Sequence, residues 1–174
     1  MTSTETELCP DCGARLPKIE GPTHRYIGAS PACWAIFTAL FNAGEPPLAP
    51  APMNALIGDA YAAQHPGMPS PQAIQSVAVH VLTLYAVLEK GVSPEKALWV
   101  RQRALRERGG SKRERFKWLT PPLFSGSLTV ADIVSLSTPQ ARAEQAKQYV
   151  ESVWRRWAQL HALTIVAWYE QYVG

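Results

Sequence analysis

Cysteine and histidine are both scarce in this chain: its 174 residues hold three cysteines and four histidines. An odd number of thiols, all within the first 33 residues and two of them at C-x-x-C spacing, favours metal binding over a disulfide framework. No run of eighteen or more residues is both uncharged and uniformly apolar, so no membrane-spanning helix is expected. The segment Met1 to Leu8 is polar and acidic and has neither the basic start nor the apolar core of a secretory signal, which makes cytoplasmic residence the default. Convincing two-residue alternation of apolar and polar residues is missing throughout, and with it any expectation of strands. The formal charge of +3 is too small to imply a polyanionic partner by itself. Glu-x-x-His pairs, which di-iron carboxylate bundles use on two of their helices, are also lacking.

What is present is concentrated at the start. Cys9-Pro-Asp-Cys12-Gly13 places two thiols on one tight turn, and the glycine lets the backbone fold so that both sulfurs point the same way. His24 and Cys33 follow, and an imidazole with one more thiolate closes a tetrahedron. Cys9, Cys12, His24 and Cys33 are therefore expected to form a structural Cys3His zinc site that orders residues 1–29 as a metal-bound arm. Two other readings stand beside it. The thiols would be ordinary buried cysteines with His24 unrelated, or a redox C-x-x-C, for which the usual βαβ context is missing.

Residues 30–174 read as a helical bundle, one domain together with the arm, and 47% of the chain is hydrophobic, enough for a substantial core. Ser30-Pro31, Ser70-Pro71, Ser93-Pro94 and Thr138-Pro139 each combine a capping hydroxyl with a proline suited to the first helical position. They predict helices from Ser30 to about Asn42, Pro71 to Lys90, Pro94 to about Arg108 and Pro139 towards Tyr172. A further helix is expected over Met53–Gln64 after the proline-rich stretch 45–52, ending where His65 precedes Pro66, and a short one from Thr129 to Leu136. The fold class expected is all-α: four main helices plus a short one, fronted by an irregular zinc-bound arm. In the last helix Tyr149, Val150, Val153, Trp154, Trp157, Leu160, Thr164, Ile165 and Trp168 fall on one broad inward face.

Three histidines lie on three of these helices. His161 shares the apolar face of the last helix, His80 flanks the Val77/Leu84 seam, and His65 closes the second helix, which also carries Asp59. Singly, each reads as a core histidine with a hydrogen-bond partner. Together, Asp59, His65, His80 and His161 would make a second, open metal site near Tyr61 and Trp118, where an ion activates water for hydrolysis or group transfer on a small-molecule substrate. One objection comes from phase: Asp59 and His65 are six residues apart, about 120° out of register on a regular helix.

The segment 101–117 holds eight of the seventeen basic residues against two glutamates, with Trp99, Phe116 and Trp118 close by. Two uses fit it: a solvated face whose aromatics pack on the core, or a surface of a zinc-stabilised binding module for a protein partner or nucleic acid. The modest overall charge disfavours nucleic acid. The aromatic last helix suits a monomer core or a homodimer seam.

The combination CPDCG, PTHRYIGASPACWAIF, DAYAAQHPG, SVAVH, WLTPP with GSLTVADI, and SVWRRWAQLH resembles an uncharacterised bacterial family, domain of unknown function 5946. The resemblance runs from Cys9 to Trp168. It implies that Cys9, Cys12, His24, Cys33, Asp59, His65, His80, Trp118 and His161 occupy motif positions, and it brings no activity with it.

Overall fold

Hydroxyl-proline steps start three of the helices as expected. In the computed structural model, Ser30 Oγ accepts from Cys33 N–H, Ser70 Oγ from Ala73 N–H and Thr138 Oγ1 from Ala141 N–H, each with proline in the first turn. The structure describes residues 5–41, 51–106 and 116–174, without the side chains of 51–55. Helices α1 (Pro31–Ala39), α2 (Ala51–Gln64), α3 (Pro71–Leu88), α4 (Ala97–Leu105), α5 (Val130–Val134) and α6 (Pro139–Tyr172) follow one another. Ser93-Pro94 behaves differently. It opens a single 3-10 turn, Pro94–Lys96, with no side-chain cap, and α4 continues from it. α5 begins with a reciprocal cap in which Asp132 Oδ2 accepts from Thr129 N–H at 2.7 Å. α1 ends at Ala39, with Leu40 as its cap, short of the expected Asn42; most of the proline-rich stretch and residues 107–115 of the basic segment fall outside the described residues.

α3 is the centre of the molecule and packs against α2, α4 and α6. Those four are the main helices. α5 lies on α6 and α1, and α1 rests against α5 and the N-terminal segment. α3 is also, among the described residues, the one helix long and apolar enough to cross a bilayer by length and composition, yet half of it is buried inside the fold. The expected inward face of α6 is buried at Tyr149, Val150, Val153, Trp154, Trp157, Ile165 and Trp168, but Leu160 is 59% exposed. At about 100° per residue Leu160 falls about 60° from Trp157 and about 140° from Ile165, on the rim of that face.

The N-terminal arm departs from the expected irregular turns. Thr6–Leu8 (β1) and Arg15–Pro17 (β2) pair antiparallel, with Glu7 opposite Leu16. Strands of three residues are too short to show alternation, and the turn between them creates them. Cys9 N–H donates to Ala14 O at 2.8 Å and Gly13 N–H to Cys9 O at 2.9 Å, closing a knuckle around Cys9-Pro-Asp-Cys12. Gly13 stands at φ +73°, the left-handed conformation that the turn requires.

The C-terminal end of α2 is tied to the rest of the protein by buried polar groups. Gln64, fully buried, donates from Nε2 to Leu128 O at 2.8 Å and accepts at Oε1 from Tyr149 O–H at 3.0 Å. Trp157 Nε1–H donates to Ala63 O at 3.0 Å. These bonds fix residue 65 in rotation and depth. Gln64→Ala leaves a partly buried carbonyl and a buried phenol without partners, so it should lower unfolding free energy in urea by about 2–3 kcal/mol. A loss below about 0.5 kcal/mol would contradict this role for Gln64.

Candidate metal centre

Four side chains converge where the knuckle meets α1 and the end of α2. The ligand atoms of Cys9, Cys12, Cys33 and His65 all lie within 4.8 Å of one another, and none of the four residues is more than 1% exposed. Cys12 Sγ and Cys33 Sγ are 4.0 Å apart, and Cys33 Sγ is 3.4 Å from His65 Nε2. A tetrahedron with metal–sulfur bonds of about 2.3 Å has edges of about 3.8 Å, so these separations are those of four ligands around one ion.

The imidazole that joins the three thiols is His65, whereas the expected His24 lies outside the cluster. His24 packs edge-on to Tyr26 at 4.4 Å between ring centroids and lies 5.2 Å from Trp34, and its Nδ1 accepts from Tyr26 N–H at 3.5 Å. His65 reaches the cluster because Pro66 stops α2 there and because its ring is locked. Nδ1–H donates to Tyr61 O at 2.8 Å, which leaves Nε2 as the atom facing the sulfurs. Its backbone carbonyl receives Gly28 N–H at 3.3 Å. Asp11, between the two knuckle cysteines, accepts from Gly67 N–H at 2.7 Å and so clamps the knuckle to the turn after His65. That clamp needs Gly28 beside it, because a Cβ there would collide with the Asp11 carboxylate. Cys33 sits in the first turn of α1, where helix dipole and free amides favour a thiolate.

The electrostatics show what such crowding demands. Hydrogen bonds from Cys12 and Cys33 hold the Cys9 thiol far below its usual range. The same contacts, with burial, push Cys33 far above it, since its proton is held by its neighbours. Burial opposes a charge on His65, but the sulfurs of Cys12 and Cys9 outweigh it and push the imidazole up to about 9. Tyr61, pushed well up by burial and then by Cys33, stays a neutral phenol and donates to Cys33 Sγ at 3.5 Å. Three sulfurs in so small a buried volume cannot all be thiolates without a cation among them. The arrangement suits a soft divalent ion with four protein ligands.

The other expected metal site does not assemble. Asp59 and His65 diverge around α2 as their 120° phase difference requires, His65 to the cysteines and Asp59 to α3. His80 Nδ1 lies 2.7 Å from Asp59 Oδ1, and Arg101 Nε is 3.7 Å from the same oxygen. His161 is elsewhere, donating from Nε2 to Thr120 O at 2.8 Å beside Trp157. In the basic segment, Phe116 is buried against Trp168 and Tyr172, and Arg103 Nε donates to Val173 O at 3.3 Å. Trp118 is half-buried against the core, and Trp99 is 47% exposed.

A helical body fronted by a knuckle, with a Cys3His tetrad capable of holding a metal ion, is the class that these observations define. The model of a family of unknown function (DUF5946) matches residues 7–158, and the chain belongs to that family. Neither a curated protein nor a solved structure matches it.

Metal uptake must displace the ligand protons, including that of His65 with its pKa of about 9. An ion held there would depress these pKa values, so the stability that it adds would be present at high pH and lost as pH falls. Affinity for a divalent ion, measured by competition with a chromophoric chelator, should rise with pH through about 9 and be accompanied by proton release into weak buffer. Affinity independent of pH across that range would contradict the assignment of His65.

Proposed function

We propose that this protein is a zinc-stabilised binding module, in which one structural zinc on Cys9, Cys12, Cys33 and His65 fastens the β1–β2 knuckle and α1 to the end of α2. The observation that carries the reading is the closed tetrad, four buried ligand atoms within 4.8 Å. Three thiolates and an imidazole in a tetrahedron suit zinc better than the hard cations magnesium and calcium, which prefer oxygen. Four protein ligands leave no coordination position for water or substrate, so the ion contributes folding energy and not chemistry. Thiolate ligands of this kind fit the reducing cytoplasm.

A metal-dependent hydrolase or transferase built on Asp59, His65, His80 and His161 has less support, because those residues serve three separate places. A small molecule or a protein partner, met by the helical body in a monomer, fits better than a nucleic acid. The aromatics flanking 107–115 are partly taken up by the core, as Phe116 is.

Elemental analysis of untagged protein purified without added metal tests the reading. One zinc per chain is expected, lost in Cys12→Ser and His65→Ala and retained in His24→Ala and His161→Ala. Zinc lost with His24 and kept without His65, or a second metal lost in His161→Ala, would overturn it.

A further inference from the structure

Away from the cysteines, α2, α3 and α4 each contribute one group to a second cluster. Asp59 is fully buried, and its Oδ1 alone serves both neighbours, His80 Nδ1 at 2.7 Å and Arg101 Nε at 3.7 Å. Its Oδ2 is buried without a hydrogen-bond partner. With Oδ2 unpartnered, the buried charge is directed only at His80 and Arg101, and it holds those two side chains in place. Both partners also extend outward: the side chains of His80 and Arg101 are 22% and 27% exposed. With Nδ1–H directed at Asp59, His80 turns Nε2 away from the carboxylate. Arg101 spends Nε on Ala97 O at 3.3 Å and on the ion pair, and its fork of terminal N–H groups lies beyond.

We propose that His80 and Arg101 form a metal-free binding site for an oxyanion, the phosphoryl or carboxylate group of a small molecule, with Asp59 as the positioning residue that holds both. The guanidinium supplies the ionic, two-pronged contact that such groups prefer. His80 Nε2 accepts a hydrogen bond from the hydroxyl of a protonated phosphate. A divalent cation does not suit the place, because Arg101 stands beside the carboxylate and only two side chains could ligate. The site involves none of the zinc ligands, so its failure and the failure of the structural zinc are read separately.

Titration of the zinc-loaded full chain with inorganic phosphate, and separately with acetate, followed through the histidine ring resonances, tests the proposal. A saturable shift confined to His80 is expected, with the stronger of the two anions naming the headgroup. Arg101→Gln should weaken the apparent Kd about tenfold or more, with Arg101→Lys recovering part of it and the zinc content unchanged. If Arg101→Gln fails to fold, His80→Gln provides the same comparison by calorimetry. No shift at His80 with either anion, equal shifts at His24 and His161, or undiminished binding in the folded variants would overturn the proposal.

Discussion

The hydrogen bond from His65 Nδ1 to the Tyr61 carbonyl, at 2.8 Å, is the constraint on which this architecture turns. Joining the side chain of the residue after α2 to the last turn of the same helix, it fixes the tautomer and aims Nε2 at three sulfurs contributed by the knuckle and α1. Without it the imidazole would be free to rotate, and three buried thiols would have no neutral fourth ligand. The knuckle depends in turn on the same helix end, through Asp11 and Gly67 and through Gly28 and the His65 carbonyl. Short strands and a nine-residue helix could not support themselves. They are held against α2 by these contacts and by the cluster of cysteines and His65, which could hold an ion among them.

Buried polar groups carry the effect onward. Gln64, adjacent to His65, connects α2 with the loop before α5 and with Tyr149 of α6, while Trp157 caps the Ala63 carbonyl. Neither is interchangeable with an apolar contact, since the Tyr149 phenol and the Ala63 carbonyl are satisfied inside the core. The cysteine cluster and the C-terminal helix are therefore connected through the end of α2, although more than a hundred residues separate them in sequence.

Much of the helical plan was legible in the chain. Ser-Pro and Thr-Pro steps encode their own local hydrogen bonds, so α1, α3 and α6 begin at the residues that the sequence indicates. Ser93-Pro94 carries the same signal without the side-chain bond, and a 3-10 turn results. The thiols of the metal centre were equally readable, because C-x-x-C is a local geometry. Its histidine was not. His24 lies between the cysteines in sequence, whereas His65 becomes their neighbour only through tertiary packing. Two local signals did point there: the His65-Pro66 step, which stops the helix with its last side chain free to turn, and the phase gap separating His65 from Asp59. Arg101 as the companion of Asp59 left no trace, because ion pairs between helices follow from packing and not from spacing.

X-ray absorption at the metal edge of the zinc-loaded protein addresses the central claim most directly. The account predicts a four-coordinate shell of three sulfurs at about 2.3 Å and one imidazole nitrogen at about 2.0 Å, with the nitrogen scattering altered in His65→Ala and unaltered in His24→Ala. A shell with two or more nitrogen or oxygen ligands, or the same nitrogen contribution after His65 is removed, would contradict it.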